Sequence, residues 1–500
     1  MNRRRFLKSA SLTAAAMSLG VRNERTIAAK PTKRPNVVIF VSDDMGWSDV
    51  GYHGSTIKTP SIDGMVAKGV ELDRFYAFPI CSPTRIAMMT GRSPIRFGII
   101  RPIGGRLGGP PLNERFMSQD FRDAGYYTAM TGKWHLGSRE GYRPNDRGFD
   151  HSHGHLSGFI DYYKHTNAML GTPDWYRNGK PLAQKGYSTD LICAEAVSII
   201  KKRDPNKPLF LYVPFNAPHS PAQAPEELIK KYSGGPQGER RPGRGNRGGN
   251  RATRAAMIDS MDQAIGKILK TLDEEGMTKR TLAMFFCDNG ASSRAEKRRR
   301  ETQDAAPPRR PRAKQVGMGN APFSGGKSTA QEGGIRLPAV MQWPGVLKAG
   351  AKSSQMFTVL DMLPTLTCAA GFKPGTKKPL DGENVWPAIR DGKVVPRKGV
   401  VIGCKDLGVF DGPWKLHQDR GVCKLYNIEK DPTEKTDLAE KHPDVVSRLK
   451  AIQAPYAEMV AKVEQNTRRR RPGGDGKRPR PGRNGEPGEP PGKPRNQRPE

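Results

Sequence analysis

The chain has 500 residues, 35% of them hydrophobic, and a formal net charge of +34; that is enough apolar material for one large domain and a smaller one. Four segments, 1–30, 233–254, 294–314 and 467–500, hold +24 of the charge, so the body carries only about +10, which argues against a uniformly basic nucleic-acid binder. No run of eighteen apolar residues occurs and the six cysteines do not make a disulfide framework, which argues against a transmembrane helix and a disulfide-stapled fold.

Asn2-Arg3-Arg4-Arg5-Phe6-Leu7-Lys8 and the small, apolar run Ser9 to Val21 read as a twin-arginine export signal occupying residues 1–30. Such a signal implies the twin-arginine translocase as a partner and a periplasmic or secreted location. Pro35 to Val41 is a continuous β-branched run, as expected of a strand buried on both faces of a parallel sheet. It ends in Asp43 and Asp44, adjacent carboxylates that repel each other unless a cation lies between them; an ordinary aspartate-rich turn is the other reading. Thr59 to Gly69 predicts a short helix, and Val70 to Phe78 a strand. Then comes Cys81-Ser82-Pro83-Thr84-Arg85-Ile86-Ala87-Met88-Met89-Thr90-Gly91-Arg92.

This stretch resembles the signature of the type I sulfatases. In that family the first cysteine is oxidised to formylglycine, whose hydrated aldehyde is the nucleophile. Cys81, Pro83 and Arg85 are the positions that a formylglycine-generating enzyme reads. Thr84 and the Met88-Met89 pair depart mildly from the commoner serine and leucines and remove no reacting group. Asp43 and Asp44, within Ser42-Asp43-Asp44-Met45-Gly46-Trp47, match the family's first two metal ligands.

Asn113 to Ala124 predicts an amphipathic helix stopped by Gly125, and Tyr126 to Met130 a strand delivering Lys133 and His135. Two residues apart on extended chain, these side chains share a side, and they match the family's lysine and histidine flanking the nucleophile. Arg147 to Tyr163 resembles most the arylsulfatase B, or N-acetylgalactosamine-4-sulfatase, branch. A glycine-rich loop there could place His153, His155, Asp161 and Tyr162 around a sugar, or leave them as exposed polar groups. Ser188 to Lys202 predicts a capped helix and Pro208 to Pro214 a buried strand. His219, between Pro218 and Pro221, is held stiffly as an acid or base needs to be, and matches the family's histidine near the leaving oxygen.

Residues 234–254 are too poor in apolar groups to fold alone, and helical periodicity resumes from Ala255 through Leu272. Thr281 to Cys287 predicts the next buried strand, delivering Asp288 and Asn289, which match the other half of the family's metal site. With Asp43 and Asp44 they make a nitrogen-free oxygen set, selecting calcium first and magnesium second over zinc; Cys81, as formylglycine, completes the ligands. A second basic insert spans 294–314. Gly325-Gly326-Lys327-Ser328 is not a phosphate loop, since Ala321 stands where its first glycine belongs. Lys327 instead matches the last cation of the sulfatase site.

Met356 to Ala370 predicts a helix, and short strands follow from Val400, with a helix from Val445 to Val460. Cys404 and Cys423 lie on candidate neighbouring strands where they could pair; Cys193, Cys287 and Cys368 read as buried small apolar residues. The expected organisation is a signal (1–30), a catalytic domain (31–355) interrupted at 234–254 and 294–314, the remainder with a small C-terminal domain (356–466), and a disordered basic tail (467–500). Strands alternating with helices imply an α/β fold, a mostly parallel sheet sandwiched by helices. The resemblance makes it alkaline-phosphatase-like, with a smaller C-terminal antiparallel sheet plus helix.

The resemblance implies sulfate ester hydrolysis, on a sulfated carbohydrate if the branch holds. Arg85, Lys133, Lys327 and a metal would offset the ester's negative charge. Asp288 would accept the nucleophile's proton, His219 or Lys327 would assist the leaving oxygen, and His135 would take the second hydroxyl's proton. Two other readings stay open: a phosphate or phosphonate ester hydrolase of the same superfamily, and an inactive secreted polyanion-binding protein. Neither needs nucleic acid or a transmembrane segment.

Overall fold

A computed structural model describes residues 34–104, 108–234, 247–292, 319–419 and 421–469. The expected export signal, the insert 294–314, most of the 234–254 stretch and the tail beyond 469 lie outside them.

Twelve strands occur among the described residues up to 358. They are β1 (Asn36–Ser42), β2 (Val70–Leu72), β3 (Phe75–Tyr76), β4 (Tyr127–Lys133), β5 (His151–His155), β6 (Tyr176–Arg177), β7 (Lys180–Pro181), β8 (Leu209–Pro214), β9 (Thr281–Cys287), β10 (Ala339–Gln342), β11 (Ala351–Ser353) and β12 (Phe357–Thr358). Ten form one sheet in the order β11-β2-β10-β9-β1-β8-β4-β5-β6-β7, while β3 and β12 make a small parallel pair. At the centre β9, β1, β8, β4 and β5 run parallel. Every residue of β1, β8 and β9 is buried, which explains why these segments are continuous runs rather than alternations. Helices α1 (Cys81–Thr90), α2 (Ser188–Lys202) and α3 (Arg247–Glu274) are among those flanking the sheet. Aromatic side chains fill the interface; Phe121, for example, stacks on Phe210 with ring centroids 4.3 Å apart.

Glycine is required at one strand position. Gly132, at φ +131°, would carry a Cβ only 1.9 Å from the Pro214 carbonyl oxygen, so no larger residue lets β4 close on β8 just before Lys133.

Beyond the large sheet, β13 (Val400–Gly403), β14 (Leu407–Asp411), β15 (Trp414–Asp419) and β16 (Val422–Asn427) form an antiparallel sheet covered by α4 (Pro443–Arg469). One buried ionic cluster joins it to the large unit. Lys415 Nζ lies 2.8 Å from carboxylate oxygens of both Glu332 and Glu434, and the Tyr76 hydroxyl donates to Glu332 at 2.9 Å. The three charged side chains are fully buried.

Several expectations need correction. The helix expected over 113–124 is confined to Met117–Asp123, because Glu114 turns away to pair with Arg92 (2.9 Å) and Lys378 (2.6 Å). The strand expected over 70–78 is split into β2 and β3. The helix expected over 356–370 begins as β12 and a 3-10 turn, with α-helix only over Met362–Ala369; Asp361 accepts from the Thr358 backbone N–H at 2.7 Å and so starts the helix late. Helix α3 begins at Arg247, inside the stretch expected to stay unfolded. Cys404 follows β13 and Cys423 sits on β16, with two strands between, so neighbouring positions are not available to them and both are free thiols. Cys193 and Cys287 are buried as expected, but Cys368 is exposed at the end of its helix.

Replacing Lys415 with alanine strands two buried carboxylates facing each other, so Lys415→Ala is expected to lower stability by about 3–5 kcal/mol. Urea unfolding of the purified protein, compared with wild type, measures that loss directly.

Candidate active site

Because β9, β1, β8 and β4 are adjacent and parallel, their carboxyl ends open onto one edge of the sheet, the place where α/β folds bind ligands. Strand β1 delivers Asp43 and Asp44, β9 delivers Asp288 and Asn289, β8 leads to His219, and β4 ends in Lys133 with His135 just beyond. The register pairs Ser42 with Cys287, so the two acidic pairs emerge side by side. Cys81 begins α1, with its side chain at the amino end of the helix, where the backbone dipole favours negative charge. Lys327 arrives from a separate loop anchored by its own N–H to Ala291 O (3.1 Å) and by Ser328 N–H to Pro79 O (2.7 Å).

The geometry brings together every residue expected in the site. Arg85 donates twice to Asp288 Oδ2 (2.8 and 3.1 Å) and once each to Lys133 O (2.9 Å) and the Tyr212 hydroxyl (3.3 Å). Lys133 Nζ donates to Asp43 Oδ2 at 2.5 Å. Lys327 Nζ bridges both oxygens of Asp44 at 2.6 and 2.8 Å, and Asn289 donates to the same carboxylate at 2.7 Å. His219 Nε2 lies 3.6 Å from Asp44 Oδ2, with its Nδ1 against Ser220 O at 2.7 Å. Cys81 Sγ is 3.3 Å from His135 Nδ1. Single atoms of Asp43, Cys81 and Asp288 lie within 4.8 Å of one another.

Burial and mutual repulsion set the electrostatics. Burial raises Asp288, and the Asp43 charge adds to that against Arg85 and Lys133, leaving its carboxyl at about 7. Burial also raises Asp44, but Lys327 and His219 outweigh it and hold that carboxylate well below the usual range. Three cations match three carboxylates in number, yet burial and the Asp43 charge leave Asp288 poorly compensated. Two acceptors, Asp43 Oδ1 and Asn289 Oδ1, are buried without a hydrogen-bond partner. Unsatisfied oxygens beside a carboxylate short of positive charge are what a hard divalent ion would satisfy, so the donor set fits such an ion. Burial pushes the Cys81 thiol above its ordinary range despite Lys133 and Lys327, so it is not a ready thiolate. Burial, with Lys133 and Arg85, pushes His135 well below its ordinary value and keeps it neutral. Its Nε2–H faces Ile103 O at 3.1 Å, which leaves Nδ1 as an acceptor aimed at residue 81.

Two sequence arguments reached the right residues for the wrong reason or reached the wrong ones. His135 is not two steps along a strand from Lys133; β4 stops at Lys133 and His135 has φ +57°, a turn that swings its ring to Cys81. The segment from His151 is not a loop but β5, parallel to β4. His153 is buried between Thr131 and Gln184, and His155 bonds Ser157 O and stacks on Trp175. Asp161 is spent on the Tyr163 and Lys164 N–H groups and Gln223. The Tyr162 hydroxyl reaches the carbonyls of Asn216 (2.6 Å) and His219 (2.8 Å), so it braces the segment carrying His219. All four thus hold protein partners, though His155 Nε2 has none.

Other contributors escaped the sequence reading. Tyr212 sits unmarked in an apolar run yet meets Arg85. Asp49, buried, accepts from Gly46 N–H (2.7 Å), Gly319 N–H (2.8 Å) and both terminal nitrogens of Arg254 (2.9 and 2.7 Å). A Cβ on Gly46 would lie 2.3 Å from the Gly319 backbone, so glycine is needed for that approach. Asn320 clasps Ala291 from both sides, accepting from its N–H at 2.8 Å and donating to its carbonyl at 3.0 Å.

The sulfatase family model matches residues 35–372. Arylsulfatase J of Mus musculus is 30% identical, with 84% of this chain and 75% of that protein covered. N-acetylgalactosamine-6-sulfatase of Homo sapiens is 31% identical over 73% of this chain and 67% of that protein. Among solved structures, Ps i-CgsB in complex with k-i-k-neocarrahexaose is 29% identical, covers 85% of this chain and 93% of its own, and superposes with a TM-score of 0.74. These relatives do not single out the branch that residues 147–163 resemble. Taken with the convergence of Cys81, Arg85, Lys133, His135, His219, Lys327 and the four oxygen donors on one sheet edge, the match is sufficient: the chain belongs to the sulfatase family, hydrolases of sulfate esters.

Proposed function

We propose that this protein removes sulfate from a sulfated carbohydrate, using a formylglycine made from Cys81 and a bound divalent cation, calcium before magnesium. The observation that carries the reading is the surroundings of residue 81: a neutral histidine nitrogen at 3.3 Å, two carboxylates within 4.8 Å, and cations on the facing side chains. The carbohydrate part rests on relatives that act on sugars by their names, N-acetylgalactosamine-6-sulfatase and the neocarrahexaose complex.

Formylglycine, as its hydrate, supplies the nucleophilic oxygen, and the cation would be held by Asp43, Asp44, Asp288 and Asn289, where it supplies positive charge against the sulfate oxygens. The chain's own side chains do the rest. Lys133 and Lys327, each already tied to a carboxylate, present ammonium groups toward the same space and offset the ester's charge. Arg85 donates four hydrogen bonds to Asp288, Lys133 O and Tyr212, so its main part is to orient the acidic group. His135 Nδ1 is placed to hold a proton from residue 81. His219, less buried and against Asp44, is placed at the mouth to hold the proton that the leaving oxygen needs.

Maturation and location complete the proposal. The Cys81 to Arg85 pattern is the substrate of a formylglycine-generating enzyme, and the amino-terminal twin-arginine pattern would send the folded, matured protein to the periplasm or outside. The phosphate or phosphonate ester reading remains the rival, separated by turnover of both ester classes on one sample.

In protein purified from its own host, the tryptic segment containing Cys81 is expected to be about 18 Da lighter than its thiol form, read by mass spectrometry. Cys81→Ala is expected to fold normally and lose sulfate ester turnover; retained turnover would sink the formylglycine assignment. Calcium titrated into metal-stripped protein should raise the melting temperature by mass action. Asp43→Asn should weaken that response about 10–100-fold in calcium concentration, as measured by thermal unfolding.

A further inference from the structure

Arg254 is the last residue of the basic stretch expected to stay outside the fold, yet its guanidinium is built into the wall of the acidic cluster. Nη1 and Nη2 grip the two oxygens of Asp49 at 2.9 and 2.7 Å, and Nη2 also donates to the backbone carbonyl of Asp44 at 3.0 Å. Asp44 needs such a hold. It sits at φ +65°, a left-handed conformation that aspartate adopts more readily than most non-glycine residues, and the Arg254 bond to its carbonyl helps fix it there.

That conformation turns the Asp44 carboxylate toward Lys327, Asn289 and His219 while its N–H points to Asp288 Oδ1 at 3.3 Å. Asp49 is the fulcrum: the N–H groups of Gly46 and Gly319 and the Arg254 fork converge on it. A bidentate guanidinium–carboxylate pair fixes angle as well as distance, so the turn from Asp44 to Asp49 is clamped at both ends by one side chain.

We infer that Arg254 is a positioning residue for the reaction centre, setting the orientation of the Asp44 carboxylate, and with it Lys327, from outside the cluster. Arg254 touches no reacting atom. Its effect passes through the Asp44 backbone, much as groups behind a metal ligand set ligand orientation. This rests on the sulfatase reading of the site, and in its cation arm on the proposed divalent ion.

The test compares wild type, Arg254→Ala and Arg254→Lys in two measurements: kcat and KM on a sulfate ester, and the calcium concentration giving half the maximal rise in melting temperature. Arg254→Ala is expected to lower kcat about 10–100-fold and to raise the calcium midpoint by a similar factor, with Arg254→Lys recovering part of both because an ammonium can still hold one partner. A purely structural Arg254 would lower the calcium-free melting temperature and leave kcat and the calcium midpoint within about twofold of wild type, overturning the inference. Should Arg254→Ala not fold, Arg254→Gln, which is shorter and uncharged but can still donate from its amide, is read by the same criteria. If wild type shows no calcium response, the cation reading falls and the kcat comparison alone decides for or against Arg254.

Discussion

Three buried carboxylates and three buried or half-buried cations meet around a single point, and the molecule is built to make that tolerable. Asp43, Asp44 and Asp288 each have a dedicated basic partner, Lys133, Lys327 and Arg85 in turn. Removing charges from water is costly, and attraction offsets that cost only when geometry is good and remaining lone pairs are satisfied. Here the pairing is good but incomplete, since two oxygens stay unmatched and Asp288 is pushed toward neutrality. A group of side chains left in this state has been arranged for something that comes from outside.

The parallel sheet is what brings such charges together without burying them in an apolar middle. Strands β1 and β9 are almost wholly apolar, and the carboxylates they deliver begin where they stop, while Lys133 is the last residue of β4. Backbone bonds between strand ends then fix the spacing: Asp288 N–H to Ser42 O at 3.0 Å, Phe215 N–H to Val41 O at 2.8 Å, Asp43 N–H to Ala217 O at 3.0 Å. Arg85 comes from helix α1 and Lys327 from a loop, and Lys327 depends on contacts to Ala291 and Pro79 for its place. Binding energy from the small antiparallel sheet also reaches this loop, because Asp406 accepts from Ala330 N–H at 2.6 Å.

Much of this was legible in the sequence because strand-end chemistry is local. An unbroken run such as Thr281 to Cys287, followed at once by Asp288-Asn289, announces both a buried strand and what it delivers. What failed was whatever depended on distant partners. The extended geometry assumed for Lys133 and His135 gave the correct side, but the structure achieves it with a left-handed turn at His135. His153 and His155 read as loop residues because glycine and histidine disfavour strands, yet pairing with β4 and packing on Trp175 override that preference. Composition hid Arg254 entirely, since nothing in a Gly- and Arg-rich stretch marks which arginine has a buried carboxylate waiting 205 positions earlier. The late start of the helix at Met362 was likewise decided by a side-chain bond to the backbone, and the short one at Met117 by the Glu114 ion pairs together with the Gln119 bond to the Phe116 N–H, rather than by periodicity.

The clasp between Ala291 and Asn320 has a consequence for how such a chain can change. Two amide hydrogen bonds tie the chain back to itself directly after Asn289, so Ala291 and Asn320 hold each other in place beside the reaction centre. Once the ends are fixed, lengthening the intervening segment costs little, about 0.6 kcal/mol for each doubling. Ala291 and Asn320 thus keep their spacing through their own two bonds, and the strand-end geometry after Asn289 is set by that pair.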